Sequence, residues 1–376
     1  MKMKQWIWVL VIVALVALFG TRAWYLYRQS EQDKDAIKIG AILPLSAFDP
    51  DLVIRNLYGI QHAEKNLNAS GMFGNKKIKF LIEDGKHEAK STLAAFNKLV
   101  GAGVQAFLIF GDAPTSFVKA RIEEEKIPVI NIFSSDTSLV KHSPYIFGTG
   151  IPNELSVAKM VKFLAQDQQL HRIGIVKIKN NYGEDNVKAL KRLLTPDVGR
   201  IVCEEGLKYE DLDARTAVER CLSKNPDVIL LWSFGSSQIS ALRRLKEAHF
   251  SGQILSDFTF KNKSVYTSLP KNGAGIYYTM VDFHLKKAPG LIEKLKQKDK
   301  EPDLSAALGY GTVELLAQAI KTQGTTPEQI RKGLLNIQNF DTVLGQVSYD
   351  ADGQIVLNDI VLMEQLSDGT AKIIKE

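Results

Sequence analysis

Small, hydroxyl-bearing and aromatic residues recur just after the short apolar runs of the sequence. Five such groups stand at residues 44–46, 111–116, 133–136, 233–235 and 256–258. If the apolar runs form parallel strands, their carboxyl ends share one edge of a sheet, where α/β proteins bind ligands. Thr115 and Ser116 follow Pro114, a residue type favoured at the first helical position, so their hydroxyl and backbone N–H groups predict a site for a carboxylate or another anion. Simple helix capping by Asp112, Thr115 and Ser116 is the alternative.

Sequence patterns typical of enzymes and metal sites do not occur. The chain has no Gly-x-Ser-x-Gly, His-Glu-x-x-His or Gly-x-x-x-x-Gly-Lys motif, and no predicted strand is followed by Gly-x-Gly-x-x-Gly. The six histidines have no metal-ligand spacing with the two cysteines or with one another. The sequence therefore predicts a protein that is not an enzyme and that holds no cofactor or metal.

The charge distribution argues against a nucleic-acid partner. The formal net charge is +6 over 376 residues, which is modest, and the basic residues are scattered over many predicted helices. Nucleic-acid-binding surfaces usually concentrate basic residues on one face or interleave them with aromatic residues. We therefore expect no nucleic acid among the partners.

Apolar runs of strand length alternate with amphipathic segments along most of the chain. Such alternation predicts a parallel sheet covered by helices on both faces. The pattern occurs twice, first with predicted strands at residues 37–43, 78–82, 105–109 and 128–132, then at 172–178, 200–203, 228–231 and 253–255. The break falls near "FGTGIP" at residues 147–152. The last third, with predicted helices at residues 304–321 and 327–335 and with short strands, is too small for a third lobe and is expected to complete the first two.

The N-terminal 28 residues predict a membrane segment. Lys2 and Lys4 precede an apolar run from Trp6 to Gly20, and Arg22 and aromatic residues follow it. The aromatic flanks favour an uncleaved anchor, whereas a small-residue site near Ala23 would fit a cleaved signal. Both alternatives place the rest of the chain, after a polar linker at residues 29–36, outside the cytoplasm. We therefore predict a protein anchored in the inner membrane and facing the periplasm, or a soluble periplasmic protein after cleavage.

The two cysteines, Cys203 and Cys221, lie on a predicted strand and on the helix that follows it. In an oxidising compartment this pair can form a disulfide. Two small buried apolar side chains are the alternative.

Several stretches carry a resemblance to a known family. The chain resembles the leucine/isoleucine/valine-binding type of periplasmic binding protein, from residue 37 to residue 375 and in the same order. The stretches that carry it are "IKIGAILPLS", "GIQHAEKNLNASG", "KIKFLIEDG", "IPVINIFSSDTSL", "VKIKNNYGED", "NPDVILLWSFGSSQISALRRLKEAHFSGQIL", "LGYGTVELLAQAIK" and "FDTVLGQVSYDADGQ".

The resemblance implies an α/β fold of two doubly wound parallel-sheet lobes joined by a three-crossover hinge. Lobe 1 would comprise residues 37–150 and 280–345, and lobe 2 residues 151–279 and 346–376. It also implies a cleft that closes on a small-molecule ligand and an ABC transporter permease in the inner membrane as partner.

The resemblance further implies a set of ligand-binding residues. Residues 45–51 would form a rim of the cleft. The expected ligand-binding residues are Ser46, Thr115, Ser116, Phe133 and Ser135 in the first lobe, Asn153 past the first crossover, and Tyr182, Phe234 and Asp257 in the second lobe.

This chain departs from the family at the two acids that hold an amino acid's ammonium group. Asn153 stands at one position with Glu154 adjacent, and Phe258 stands at the other with Asp257 beside it. We therefore expect free branched-chain amino acids to bind weakly or not at all, because an ammonium group in a closed cleft needs an acidic partner. A shift of one position by Glu154 or Asp257 would restore the amino-acid site.

Two functions compete on these grounds. The first is an extracytoplasmic solute-binding protein that closes on an amino acid, amide or carboxylate and delivers it to an ABC permease. The second is a membrane-tethered receptor domain that uses the same cleft to sense its ligand, which the anchor-like segment favours. An enzyme on this scaffold would need a nucleophile and a base in the cleft, and no histidine is predicted there.

Overall fold

The computed structural model describes residues 35–46, 50–134, 137–166, 170–208, 212–357 and 360–374. The predicted membrane segment at residues 1–28, most of the linker, and Ser135 lie outside the described residues. None of the described helices has the length and apolarity needed to cross a bilayer. Among the same residues, no group of three or more potential metal ligands is found.

The first sheet contains five parallel strands in the order β2-β1-β3-β4-β5. The strands span Ile37–Leu43 (β1), Ile78–Asp84 (β2), Ala106–Phe110 (β3), Val129–Ile132 (β4) and Ile146–Gly148 (β5). Strands β3 and β4 are buried at every position, as expected of apolar runs covered on both faces. The predicted strands in this region are confirmed to within two residues at each end.

The helices of this first lobe come from two distant parts of the chain. They span Pro50–Ser70 (α1), Ala89–Gly101 (α2), Asp112–Phe117 (α3), Lys119–Glu125 (α4) and Thr137–Lys141 (α5), and later Leu291–Gln297 (α11), Leu304–Gln323 (α12) and Pro327–Leu335 (α13).

The close packing of α12 on α1 depends on glycine. A Cβ atom at Gly59 would lie 2.3 Å from the carbonyl oxygen of Ala306, and one at Gly309 would lie 2.2 Å from that of Asn56. Neither position has room for a side chain, so the two helix backbones approach closely. The Asn56 side-chain amide donates to the Ser305 carbonyl at 3.0 Å across this contact.

The second sheet has seven strands in the order β15-β14-β10-β9-β8-β6-β7. They span Arg172–Ile178 (β6), Arg200–Leu207 (β7), Val228–Trp232 (β8), Gln253–Ser256 (β9), Ile276–Val281 (β10), Ile360–Gln365 (β14) and Ala371–Ile374 (β15). Strands β6 to β10 are parallel, but β14 pairs antiparallel with β10 and β15 with β14. The expectation of a purely parallel second sheet is therefore wrong at this edge, where a short hairpin connects β14 to β15.

Helices cover both faces of the second sheet and define the second lobe. They span Asn153–Gln166 (α6), Asn181–Leu193 (α7), Arg215–Leu222 (α8), Gly235–Glu247 (α9) and Lys263–Tyr266 (α10). Short 3-10 helices occur at Phe258–Lys261, Pro270–Gly273 and Leu285–Lys287. Cys203 on β7 and Cys221 on α8 are joined by a disulfide, with their Cα atoms 5.4 Å apart.

A small third sheet, β11 (Phe340–Thr342), β12 (Gly345–Tyr349) and β13 (Ile355–Leu357), is antiparallel. It packs on the first lobe, because Gly148 bridges to Gln354 and the rings of Phe147 and Tyr349 lie 5.4 Å apart. The sequence contained only short strands with turns here and did not predict this separate sheet.

The chain passes between the two large sheets three times. The passages fall between β5 and α6, after β10, and between β13 and β14. The second sheet continues to Val281, two residues past the boundary expected at 279/280, and the third sheet spans the boundary expected at 345/346. The exact division of the chain into lobes stays a prediction.

Candidate functional site

Aromatic residues at the carboxyl ends of strands bring the two lobes into contact. Phe133 follows β4 and Phe258 follows β9, and their ring centroids lie 6.1 Å apart. Phe110, the last residue of β3, packs against Phe133 at 5.1 Å. The carboxyl ends of both sheets therefore face each other, where the ligand cleft is predicted. Phe133 has a positive φ of 59°, a strained conformation for a bulky residue that persists only where the surroundings hold it.

Asp257 is a buried acid at the carboxyl end of β9. Its side chain is 2% exposed. One carboxylate oxygen accepts a hydrogen bond from the Tyr182 hydroxyl, and the other lies 3.0 Å from the Thr259 backbone nitrogen and 2.7 Å from the Thr259 hydroxyl. Burial raises the pKa of Asp257 above its usual value, although these hydrogen bonds act in the opposite direction.

No cation pairs with Asp257 in the described part of the chain. The groups that shift its pKa are Tyr182 and Thr259 together with its own backbone, and none is a lysine, an arginine or a histidine. A buried carboxylate usually has a cationic partner or several hydrogen bonds. Here hydroxyl and backbone donors orient the group but leave its charge uncompensated by protein.

Tyr182 and Phe234 complete this part of the cleft. Tyr182 lies in the first turn of α7, where the Asn180 side chain caps the helix by accepting from the Gly183 nitrogen at 3.1 Å. Its ring lies 5.9 Å from that of Phe234, the residue before α9. Burial and the neighbouring Asp257 charge raise the pKa of Tyr182 well above its usual value, so its hydroxyl stays protonated and donates.

Two supporting residues were missed by sequence reasoning. The Gln238 side-chain nitrogen lies 2.9 Å from the Thr259 hydroxyl, and that hydroxyl lies 2.9 Å from the Ser233 carbonyl oxygen. The sequence does carry a signal for Thr259, because an aspartate often hydrogen-bonds the backbone two residues further on, and Thr259 stands two residues after Asp257. Gln238 lies in the middle of the α9 sequence and carries no such signal.

The predicted anion site of the first lobe differs from expectation. Helix α3 begins at Asp112 after Gly111, whose φ is 94°, so Pro114 is the third helical residue and the prediction that it is the first is wrong. The Thr115 hydroxyl donates to the Gly111 carbonyl at 2.9 Å, and the Ser116 hydroxyl donates to the Ala113 carbonyl at 2.7 Å. Both hydroxyls thus bond to their own helix.

The group at the start of α3 is instead an acid. The Asp112 carboxylate accepts a hydrogen bond from the Asn131 side-chain nitrogen at 2.7 Å. Asn131 lies on β4 and is fully buried, and its side-chain oxygen has no hydrogen-bond partner among the described residues. Sequence reasoning had considered Asp112 only as a helix cap.

Ser46, predicted to bind the ligand, bonds to an acid of its own lobe. Its hydroxyl lies 2.5 Å from a carboxylate oxygen of Asp84, at the end of β2, and the Leu45 nitrogen donates to the other oxygen at 3.0 Å. Burial raises the pKa of Asp84, but these hydrogen bonds and one from the Lys86 nitrogen outweigh it and hold the pKa below its usual value. The acid therefore stays ionised and fixes the loop after β1.

Asn153 and Glu154 occupy different environments at the start of α6. Asn153 is 7% exposed, and its side-chain nitrogen lacks a hydrogen-bond partner among the residues that the structure describes. Glu154 is exposed and pairs with Arg192 at 2.7 Å. Of the two acids that could restore an ammonium site, only Asp257 lies in the aromatic cluster.

The structure therefore brings together Phe133, Tyr182, Phe234 and Asp257 from the predicted set, through Phe258. The hydroxyls of Ser46, Thr115 and Ser116 bond instead to Asp84, Gly111 and Ala113. Asn153 lies at the start of α6, and Ser135 lies outside the described residues. Whether each residue contacts a ligand stays a prediction.

Two sheets of mostly parallel strands, with the carboxyl ends of their strands facing one cleft, define a two-lobed binding protein. The sequence profile of the periplasmic binding protein family matches residues 36–370. The chain belongs to this family.

Individual relatives are similar over nearly their whole length. The Leu/Ile/Val-binding protein of Escherichia coli (strain K12) is 23% identical over 345 residues, covering 89% of this chain and 92% of that protein. Among solved structures, the leucine-binding protein LivK of Thermotoga maritima aligns with a TM-score of 0.79 at 20% identity, covering 90% of this chain and 98% of that one. An ABC transporter solute-binding protein from R. palustris in complex with benzoate aligns with a TM-score of 0.77 at 18% identity, covering 90% and 95%.

Proposed function

We propose that the protein is an extracytoplasmic solute-binding protein whose cleft closes on a small solute with an amino group. The observation that carries this proposal is Asp257, a buried carboxylate at the lobe contact whose described partners are hydroxyl and backbone groups. A positively charged amino group would supply the missing countercharge. Charge-assisted hydrogen bonds of this kind contribute roughly 1.5–3 kcal/mol each.

The surrounding residues suit such a solute. The hydroxyls of Tyr182 and Thr259 hold the carboxylate in one orientation, so little reorganisation is needed on binding. The rings of Phe133 and Phe258 on one side and of Tyr182 and Phe234 on the other offer apolar walls for the rest of the molecule. Relatives whose names state amino-acid binding support the proposal, whereas the benzoate complex indicates that the fold alone does not select an amine.

The expectation of weak binding by branched-chain amino acids rested on Phe258 occupying the position of the family's acid. The burial of Asp257 beside the aromatic residues favours the alternative in which an acid one position away restores the ammonium site. The expectation itself stays a prediction. Solutes with an amine should therefore be tested before amine-free carboxylates.

The proposal is tested by calorimetric titration of the purified full-length protein with a panel of amines, amino acids, amino-acid amides and amine-free carboxylates. We expect at least one amine-bearing compound to bind, and Asp257→Asn to weaken it by about 2–5 kcal/mol, the usual effect of truncating a buried charge pair. Glu154→Gln is the matched control and should bind normally, because Glu154 is exposed. Binding only by amine-free carboxylates, or full affinity in Asp257→Asn, would overturn the proposal.

We also propose that the loaded protein delivers its solute to an ABC permease while the N-terminal segment anchors it at the inner membrane. Uptake of the labelled solute should be lost when the gene is deleted and should return with the wild-type gene but not with Asp257→Asn. Normal uptake in the deletion strain would favour the sensing alternative. Intact-mass measurement of the membrane fraction tests the anchor, and a mature N-terminus near Trp24 would contradict it.

A further inference from the structure

We infer that the first-lobe half of the cleft receives an N–H group of the solute rather than a carboxylate, so that the solute is an amide or a second amine and not a free amino acid. This inference rests on the proposed function and deepens it. The second lobe contributes Asp257 for one amino group. The first lobe, opposite Asp257, accommodates the second polar group of the solute.

Asp112 and Asn131 lie close in sequence to the aromatic residues of the first lobe. Asp112 comes two residues after Phe110, and Asn131 comes two residues before Phe133. Phe110 and Phe133 are in ring contact, and Phe133 reaches Phe258 of the other lobe. The side-chain pair of Asp112 and Asn131 therefore stands at the strand ends of the first lobe, next to the aromatic contact between the lobes.

The Asn131 side-chain amide has one orientation that fits its neighbour Asp112. An ionised carboxylate can only accept hydrogen bonds, so the Asn131 nitrogen must face Asp112, as the distance of 2.7 Å indicates. This leaves the Asn131 oxygen as a fully buried acceptor with no partner among the described residues. Buried polar atoms are nearly always hydrogen-bonded. A solute N–H can satisfy this oxygen and a carboxylate cannot.

The hydroxyl groups expected to hold a carboxylate are already hydrogen-bonded within the protein. Thr115 and Ser116 direct their hydroxyl protons to carbonyls of their own helix. Asp112 lies at the start of that helix, and Asp84, whose pKa is lowered, lies at the end of β2 in the same sheet. A solute carboxylate would therefore meet acceptors and negative charge on this side, and like charges brought together at an interface are strongly unfavourable.

The test compares acids with their amides on the full-length protein. Calorimetry with leucine and leucinamide, phenylalanine and phenylalaninamide, and 3-methylbutylamine keeps the apolar part constant while the second polar group changes. We expect each amide that binds to do so at least about tenfold more tightly than its acid. Acids that bind as tightly as their amides would overturn this inference and leave the proposed function standing. If none of these amines binds, this inference falls, whereas the wider panel with Asp257→Asn decides the proposed function.

A substitution identifies the residue responsible. Asp112→Asn removes the charge with little change in shape and should reduce the preference for amide over acid to about threefold or less, because an amide can donate to a carboxylate. Glu123→Gln, a control at a partly exposed acid on α4 of the same lobe that pairs with Lys119, should leave the preference within about twofold of the wild type. An unchanged preference in a folded Asp112→Asn protein would overturn the assignment to Asp112. If that variant does not fold, the wild-type comparison of acids with amides still decides the inference.

Discussion

The Tyr182 hydroxyl donates a hydrogen bond to the Asp257 carboxylate, although the two residues are 75 positions apart in the sequence. Tyr182 is placed by the capped start of α7, and Asp257 is placed by the end of β9. The contact therefore depends on two separate strand–helix units of the second lobe. It orients the acid that the proposed function requires.

Tyr182→Phe should weaken amine binding by about 1–2 kcal/mol, because Asp257 loses a donor while the ring contact with Phe234 remains. The hydrogen bond from Tyr182 lowers the pKa of Asp257, so its removal should raise that pKa. Since the ionised acid binds the amine, affinity should rise with pH, and in the variant this rise should occur at higher pH. Calorimetry across a pH series measures both effects. An unchanged affinity and pH profile would contradict the prediction.

An ion pair joins the two lobes away from the aromatic cluster. Lys263 on α10 lies 2.7 Å from Glu301, which precedes α12 of the first lobe. Both side chains are exposed by more than half, so their attraction is weak and sensitive to salt. In the proposed function the lobes separate when the cleft opens, and this pair would then break.

Reversing one charge of this pair should disfavour closure. We expect Lys263→Glu to weaken solute binding a few-fold at low salt and less at high salt, and we expect the double exchange Lys263→Glu with Glu301→Lys to restore it. The control is Lys372→Glu, since Lys372 pairs with Glu364 within the second sheet. Equal losses in the single and double variants would argue against a role in closure.

Glu314 should make stability depend on pH. Burial, together with the nearby Asp341 charge, raises the pKa of this residue of α12 to about 7, whereas a hydrogen bond from the Val343 nitrogen at 2.9 Å and the Lys287 charge act in the opposite direction. Between its ordinary value of 4.5 and about 7, the folded protein holds a proton that the unfolded chain has released. The free energy of unfolding must therefore fall as pH rises through this window, by at most about 1.4 kcal/mol per pH unit.

Urea unfolding of the wild type and of Glu314→Gln from pH 4.5 to 7.5 measures this effect. Other acids also titrate in this range, so the relevant quantity is the difference between the two slopes. The glutamine variant should show a smaller loss of stability with rising pH. Parallel curves for the two proteins would mean that Glu314 titrates normally in the folded state.

The disulfide should contribute to stability and not to binding. Cys203 and Cys221 are 18 residues apart, and closing a loop of this size typically stabilises by about 2–4 kcal/mol. We expect Cys203→Ser with Cys221→Ser to lose that amount in urea unfolding while amine affinity stays unchanged, because β7 is the outer strand of its sheet. Two free thiols in the denatured, unreduced protein would show that the bridge does not form.

Local sequence patterns were sufficient for the regular elements. The runs at residues 37–43 and 172–178 were predicted to the residue, because a strand buried on both faces needs continuous apolar side chains. Helix α13 was likewise predicted at Pro327–Leu335, where Thr326 and Gln329 form a capping box behind Pro327. In these segments the neighbouring residues alone decide the conformation.

The edges and the small sheet were decided by partners distant in the sequence. Strands β14 and β15 form an antiparallel hairpin at one edge of the second sheet, and β14 pairs with β10, which lies far earlier in the sequence. Helix α3 begins at Asp112 because Gly111 turns the chain directly after β3. A proline is tolerated throughout the first turn of a helix, so Pro114 alone could not indicate the first helical residue.

By itself the sequence determined the α/β class, most strands and helices, the family, and the strand ends where a ligand should bind. It did so because apolar periodicity and turn residues act locally. Only the tertiary structure decided which polar groups are buried together: Asp257 with Tyr182 and Thr259, and Asp112 with Asn131. Burial and side-chain direction arise from packing between segments far apart in the chain, and no local pattern encodes them. The pairing of these acids at the strand ends of each lobe therefore emerged only with the fold.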